Sequence, residues 1–152
     1  MKISVVSLKL AKEYEVEIPG ETDVIYGAET AGPIFCKLIG GNNVEYVAML
    51  CLDHNNKIIN YALVSIGKID RVYVSISQII KIALLSNALK MIIAHNHPCG
   101  ILEVTDYDIE LTKKIGAVAK LFDLELIDSL IVSDSDVVSI REKIGALKNE
   151  SQ

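Results

Sequence analysis

Two of the chain's three histidines stand one residue apart, in His95-Asn96-His97-Pro98-Cys99-Gly100, and Thr105-Asp106-Tyr107-Asp108 follows closely. An extended chain points alternate side chains to opposite faces, so His95 and His97 project the same way if this stretch is still a strand. Pro98 and Gly100 break the strand, and Thr105 has the chemistry of a helix N-cap. Asp108 then falls in the first turn of that helix, where it can face back toward the two rings. Two imidazoles and one carboxylate make a three-ligand site with an open fourth position, the arrangement a catalytic zinc requires. Each group also has a plainer role. A single histidine beside a core strand is commonly packed or hydrogen-bonded, and an acid in a first turn suits the positive end of a helix. The contiguous His-Asn-His string does not match the nucleases that share those letters, whose residues are scattered over a ββα-metal unit.

These residues need a strand before them and a helix after them, and the sequence supplies both. The run Lys90-Met91-Ile92-Ile93-Ala94 is an apolar strand that ends at the histidine pair. Residues 105–121 form a long helix with Ile109, Thr112, Ile115 and Ala119 on its buried side. Upstream, Glu45–Leu52 is a strand with apolar residues on both faces, hence central in its sheet. Asp53-His54-Asn55-Asn56 is a hairpin turn, and 57–66 is the return strand. Helical spacing covers 76–88, capped by Ser75 or Ser77. Residues 124–132 and 136–140 pair around a Ser133–Ser135 turn, and a last helix covers 140–148. Before all of these, 2–10 carries the β-favouring Ile3, Val5, Val6, Leu8 and Leu10 and reads as an edge strand. Residues 11–27 are irregular. A helix over 29–39 takes Pro33 near its first turn and stops at Gly40-Gly41-Asn42-Asn43. The sum is an α/β sandwich, a mixed β-sheet flanked by helices.

Composition narrows the class. At 152 residues the chain suits one domain, 1–152, with a full core. It is 51% hydrophobic and 23% charged, a globular balance. No run approaches the ~20 apolar residues of a membrane span, and the N-terminus lacks a secretion signal, so a cytoplasmic protein with no membrane partner is expected. Cys36, Cys51 and Cys99 are odd in number and lack a Cys-x-x-Cys pair, which fits a reducing compartment. Cys36 and Cys51 read as small core hydrophobes, and Cys99 as a loop residue beside the histidines. The formal charge of −5 and the absence of a basic stripe argue for weak or no direct nucleic-acid binding. Lys113, Lys114 and Lys120 read as a solvated helix face. Ile101, Leu102 and Val104 lie between the two halves of the candidate site. They are expected to wall its cleft or to be covered by a second copy of the chain in a homodimer.

Glu45, then His95-x-His97, seven residues, Thr105, two residues and Asp108 together resemble the JAMM/MPN+ metallopeptidase signature Glu…His-x-His-x7-Ser-x2-Asp. The segments His95-Asn96-His97-Pro98-x-Gly100, Asp108–Lys114, Leu126-Ile127-Asp128-x-Leu130-Ile131-Val132 and Ser139–Glu142 resemble the RadC-like branch. The resemblance runs from about residue 4 to 145. It implies a JAMM/MPN-like (cytidine-deaminase-like) sandwich without the N-terminal helix-hairpin-helix module of longer members. It also implies Zn²⁺ on His95, His97 and Asp108, with a metal-activated water attacking a peptide or isopeptide bond of an unknown peptide or protein substrate. Glu45 would be the general base and then acid, and the Thr105 hydroxyl would serve the oxyanion in the place of the family's serine. Thr105 keeps that hydroxyl but adds a methyl that narrows its rotamers. The apolar loop 101–104 replaces a Gly/Pro/Ser-rich stretch. Ser129 stands where many relatives have His, which removes a group facing the site or DNA. Two other functions accompany the family: a DNA repair or recombination-associated binding module, and a scaffold that keeps zinc for stability alone. Glu45 favours the hydrolase, because a structural zinc needs no base. Glu45 alone, without the resemblance, would read as a solvated residue at a strand entry.

Overall fold

The apolar runs become five strands in a computed structural model of the protein: β1 (Tyr46–Leu52), β2 (Ile58–Ile66), β3 (Lys90–Asn96), β4 (Glu125–Val132) and β5 (Val137–Ser139). The structure describes residues 1–67 and 74–150, with side chains to residue 146. The strands form one mixed sheet in the order β2-β1-β3-β4-β5. β3 and β4 are parallel, and the other neighbouring pairs are antiparallel. β1 and β3 lie inside the sheet and are buried on both faces, which is why they read as unbroken apolar runs.

Helices cover both faces. α1 (Ala28–Phe35) continues into a π-helical turn, Cys36–Gly40. Together they bury Ala31, Ile34, Phe35 and Ile39 against Ala48, Leu50, Leu52, Ile92 and Ala94. α2 (Ile76–Leu85) and α3 (Asp106–Leu121) bury Ile79, Ala83, Ile115 and Ala119 against Val47, Met49, Met91 and Ile93. α4 (Ile140–Glu150) packs on β4 and α3. Along β3 the pleat sends Met91 and Ile93 to the α2/α3 side and Ile92 and Ala94 to the α1 side. His95 continues the first set and Asn96 the second. Each fully buried Ile or Leu in these layers contributes ~1.5–3 kcal/mol.

Local chemistry explains most boundaries. Asp53 Oδ1 accepts from the backbone N–H of Asn55 (2.8 Å) and Lys57 (3.0 Å), which closes the β1–β2 turn. Asn56 takes the left-handed conformation there, with φ 63°. Of the two candidate caps for α2, Ser75 is the one used: its side chain accepts from the Gln78 N–H. Ser133 Oγ accepts from the Asp136 N–H at 3.0 Å in the turn before β5.

Three expectations change. Residues 2–10 form no strand, and Ile3, Val5, Val6 and Leu8 are exposed. Among the described residues the segment has no sheet neighbour, and β propensity without a paired strand does not hold an extended ladder. The helix expected over 29–39 is present but in two forms, an α-helix to Phe35 and a π-helical turn from Cys36, and Pro33 falls in its second turn, where an α-helix would use the N–H that proline lacks. The helix expected to reach 88 ends at Leu85, because Ser86 Oγ bonds back to the Ile82 carbonyl and Asn87 turns left-handed with φ 52°.

Candidate metal centre

His95 is the second-to-last residue of β3, and His97 follows the strand's end. In the antiparallel register of β1 on β3, Val47 is opposite His95. Two residues further along, the same count sets Glu45 opposite His97, so Glu45, Val47, His95 and His97 share one face at this end of the sheet. One ligand-type atom each from Glu45, His95 and His97 lies within 4.8 Å of the others. Asp108 enters from α3 above that face. Its Oδ1 is 3.2 Å from His95 Nε2, and its Oδ2 is 4.0 Å from His97 Nε2.

The donor types suit a tetrahedral divalent ion of the zinc type, and two of the three separations match one, the His97–Asp108 separation of 4.0 Å being longer. Bonds of about 2.0–2.1 Å place neighbouring ligand atoms roughly 3.3 Å apart. The separation between His95 Nε2 and His97 Nε2 is 3.2 Å, equal to that between His95 and Asp108. His97 Nδ1 lies 2.9 Å from the Ile101 carbonyl oxygen. That carbonyl accepts the Nδ1 proton, so in the neutral ring Nε2 carries the lone pair that faces the other ligands.

Asp108 is 6% exposed, and burial by itself would raise its pKa. The opposing hydrogen bonds win: His95 and the Thr105 N–H hold the carboxyl at about 2, helped by the positive character of His95 and by the Thr105 hydroxyl. Thr105 caps α3 in a reciprocal capping box with Asp108. The Asp108 N–H donates to Thr105 Oγ1 at 3.2 Å, and the Thr105 N–H donates to Asp108 Oδ2 at 2.9 Å. The Thr105 hydroxyl also donates to Oδ2 at 2.9 Å. Its single proton is therefore directed at the carboxylate and not into the cleft.

The cleft spans about 390 Å³, part of it open to solvent. Its apolar lining comes from Val47, Val74, Ile93, Tyr107, Leu111 and Ile115, and Glu45, His95, Asp108, Thr112 and Ser129 supply its polar groups. Of the two roles expected for loop 101–104, a wall of this cleft or a surface covered by a second copy, the first is not seen, because none of its residues lines the cleft. Gly100, with φ 76°, turns the chain so that the Ile101 carbonyl meets His97 while the Ile101 side chain stays exposed. Ser129 lines the cleft and is 4% exposed, so a side chain at that position addresses the site and not a nucleic acid surface. Cys99 is exposed and stands outside the converging group, whereas Cys36 and Cys51 are buried with thiol pKa values raised by that burial.

Asn96, between the two histidines, is fully buried. Its Oδ1 accepts from the Tyr46 N–H at 2.6 Å, and its Nδ2 donates to the carbonyls of Val44 (3.0 Å) and Asn42 (3.2 Å). The signal was present: Ile92 and Ala94 precede it on the same face, and a polar residue continuing an apolar set needs partners.

No helix among the described residues is long and apolar enough to cross a membrane. Residues 25–146 match the family model of the RadC-like JAB domain. A UPF0758 protein of Finegoldia magna is 37% identical over 114 residues, 75% of this chain and 51% of that protein. One from Acidithiobacillus ferrooxidans is 37% identical over 101 residues, 66% of this chain and 45% of that protein. One from a Marinomonas species is 39% identical over 99 residues, 65% and 44% of the two. The chain spans about half the length of these curated relatives. A match that begins at the first core residue, Ile25, and runs into α4 makes this chain a member of the RadC-like JAB domain family.

Proposed function

We propose that this chain is a zinc-dependent hydrolase that cleaves a peptide or isopeptide bond. The observation that carries the reading is the convergence of Glu45, His95 and His97, with Asp108 against His95, beside a cleft of largely apolar lining. His95, His97 and Asp108 would hold the ion. Bound there, Zn²⁺ would polarise the scissile carbonyl and lower the pKa of a water toward neutrality. Glu45 sits within reach of the same space without being needed as a ligand. It would take a proton from the attacking water as the new carbon–oxygen bond forms. It would return that proton to the amine nitrogen as the carbon–nitrogen bond breaks. Thr105 orients Asp108, and to serve an oxyanion its hydroxyl must rotate away from Oδ2. The apolar lining excludes water and suits an aliphatic part of the substrate.

Elemental analysis of the purified protein should find about one zinc per chain, as a three-ligand site implies, and His97→Ala and Asp108→Ala should each lose it. Glu45→Gln should keep the metal. Hydrolysis of an internally quenched peptide library, and of a peptide acylated on a lysine Nε, should fall ~10²–10⁴-fold in that variant. Full zinc in both ligand variants, or undiminished hydrolysis in Glu45→Gln, would overturn the assignment.

A further inference from the structure

We propose that Asn96 is a positioning residue that sets the carboxylate of Glu45 against the metal ligands by clamping the peptide groups on both sides of it. The inference rests on the reading of Glu45 as the base. The backbone ladder between β1 and β3 runs from Leu52↔Lys90 to Val47↔His95 and goes no further. Glu45 therefore lies beyond the last rung, on a segment that follows Gly40-Gly41-Asn42-Asn43. Asn96 continues the ladder with its side chain. It accepts from the Tyr46 N–H, immediately after Glu45, and donates to the Val44 carbonyl, immediately before it. Its second amide proton goes to the Asn42 carbonyl. The Glu45 carbonyl is held from the other side by the Gly67 N–H at 2.8 Å.

The side chain has to be an amide. The clamp uses one acceptor and two donors on a short planar group, a set that asparagine carries and aspartate, serine and alanine do not. It also has to stand between the histidines. The pleat that turns His95 and His97 toward the cleft turns Asn96 to the opposite face, under the segment that bears Glu45. One three-residue stretch thus carries two ligands and the anchor of the base, so both move with the same strand. A misplacement of the base by about 1 Å costs on the order of 10²-fold in rate.

The test compares Asn96→Ala and Asn96→Asp with the wild-type zinc protein. Asn96→Asp keeps the shape and the acceptor for Tyr46 and loses both donations. Zinc content should stay at the wild-type level in both. In Asn96→Ala the Tyr46 amide should exchange with deuterium roughly tenfold faster or more, while the amide of Leu130 in β4 does not change. On the peptide probe, kcat should fall about 10²-fold with little change in KM in Asn96→Ala, and no less in Asn96→Asp, whose carboxylate would face the Val44 and Asn42 carbonyls. Adding Asn96→Ala to Glu45→Gln should slow the reaction no further, because the clamp acts only through Glu45. Loss of zinc, faster exchange throughout the sheet, or failure of both variants to fold would show a general structural role and overturn the proposal. Unchanged kcat in Asn96→Ala beside an inactive Glu45→Gln overturns the positioning role alone. Unchanged turnover in Glu45→Gln itself overturns the base, and the positioning role with it.

Discussion

The Thr105–Asp108 pair shows how one interaction serves both folding and the site. The same two side chains that start α3 also aim a carboxylate at His95, and the hydrogen bonds from His95 and the Thr105 N–H hold its pKa at about 2, so Asp108 stays ionised at any ordinary pH. Thr105→Ala removes an acceptor for one helix N–H and a donor to Oδ2. It is expected to cost about 1 kcal/mol of stability, the usual worth of an N-cap, measured by urea unfolding. It should also weaken zinc binding by ~10–100-fold in competition with a chelator, because groups that orient ligands typically contribute that much. Thr105→Ser restores both hydrogen bonds and should recover both properties. Recovery of stability without recovery of zinc affinity would mean that the methyl, and not the hydroxyl, matters for the site.

At the scale of elements, the position of α1 depends on a contact between backbones. A Cβ placed on Gly40 would stand 2.0 Å from the Ser133 carbonyl oxygen and 2.5 Å from its carbon. Neither atom belongs to a side chain that can swing away. Gly40 and Gly41 read in the sequence as a helix stop, and Gly41 has nothing within 4 Å, so the two glycines do different work. Gly40→Ala is expected to lose about 3 kcal/mol or more in urea unfolding, because the π-helical turn must lift off the end of β4. Gly41→Ala should change stability by no more than about 0.5 kcal/mol. Equal effects at the two positions would remove close approach as the reason for Gly40.

For the whole molecule, charge sets what it meets in solution. The chain carries −5 at pH 7, and the basic residues of α3, Lys113, Lys114 and Lys120, are exposed and solvated. Few phosphates can be neutralised by such a surface. Duplex DNA should bind no more tightly than the ~10⁻⁴–10⁻⁶ M of non-specific contacts at physiological salt, with a shallow salt dependence. Fluorescence anisotropy with a labelled duplex measures this, and tight binding would favour a DNA repair module over the hydrolase. A charge of this sign is compatible with a protein or peptide substrate whose recognition comes from the apolar lining of the cleft.

The elements themselves were legible in the sequence because each is set by local pattern: apolar runs for β1 and β3, a Thr–Asp cap for α3, an Asx turn between β1 and β2. His95, His97 and Asp108 were legible for the same reason, since a strand end and a helix start bring them together over fourteen residues of chain. Glu45 was visible only through the family signature, because its approach to His97 comes from strand pairing between positions 52 apart, and local pattern does not specify which strands pair. Tertiary structure alone decided the rest. It left 2–10 unpaired despite its β-favouring residues, since a strand exists only against a neighbour. It gave Ile101 a role through its carbonyl, which no side-chain pattern encodes. It set Asn96, to which the sequence reading gave no role, under the backbone on both sides of Glu45, because where a buried amide finds its three partners is a property of the assembled sheet.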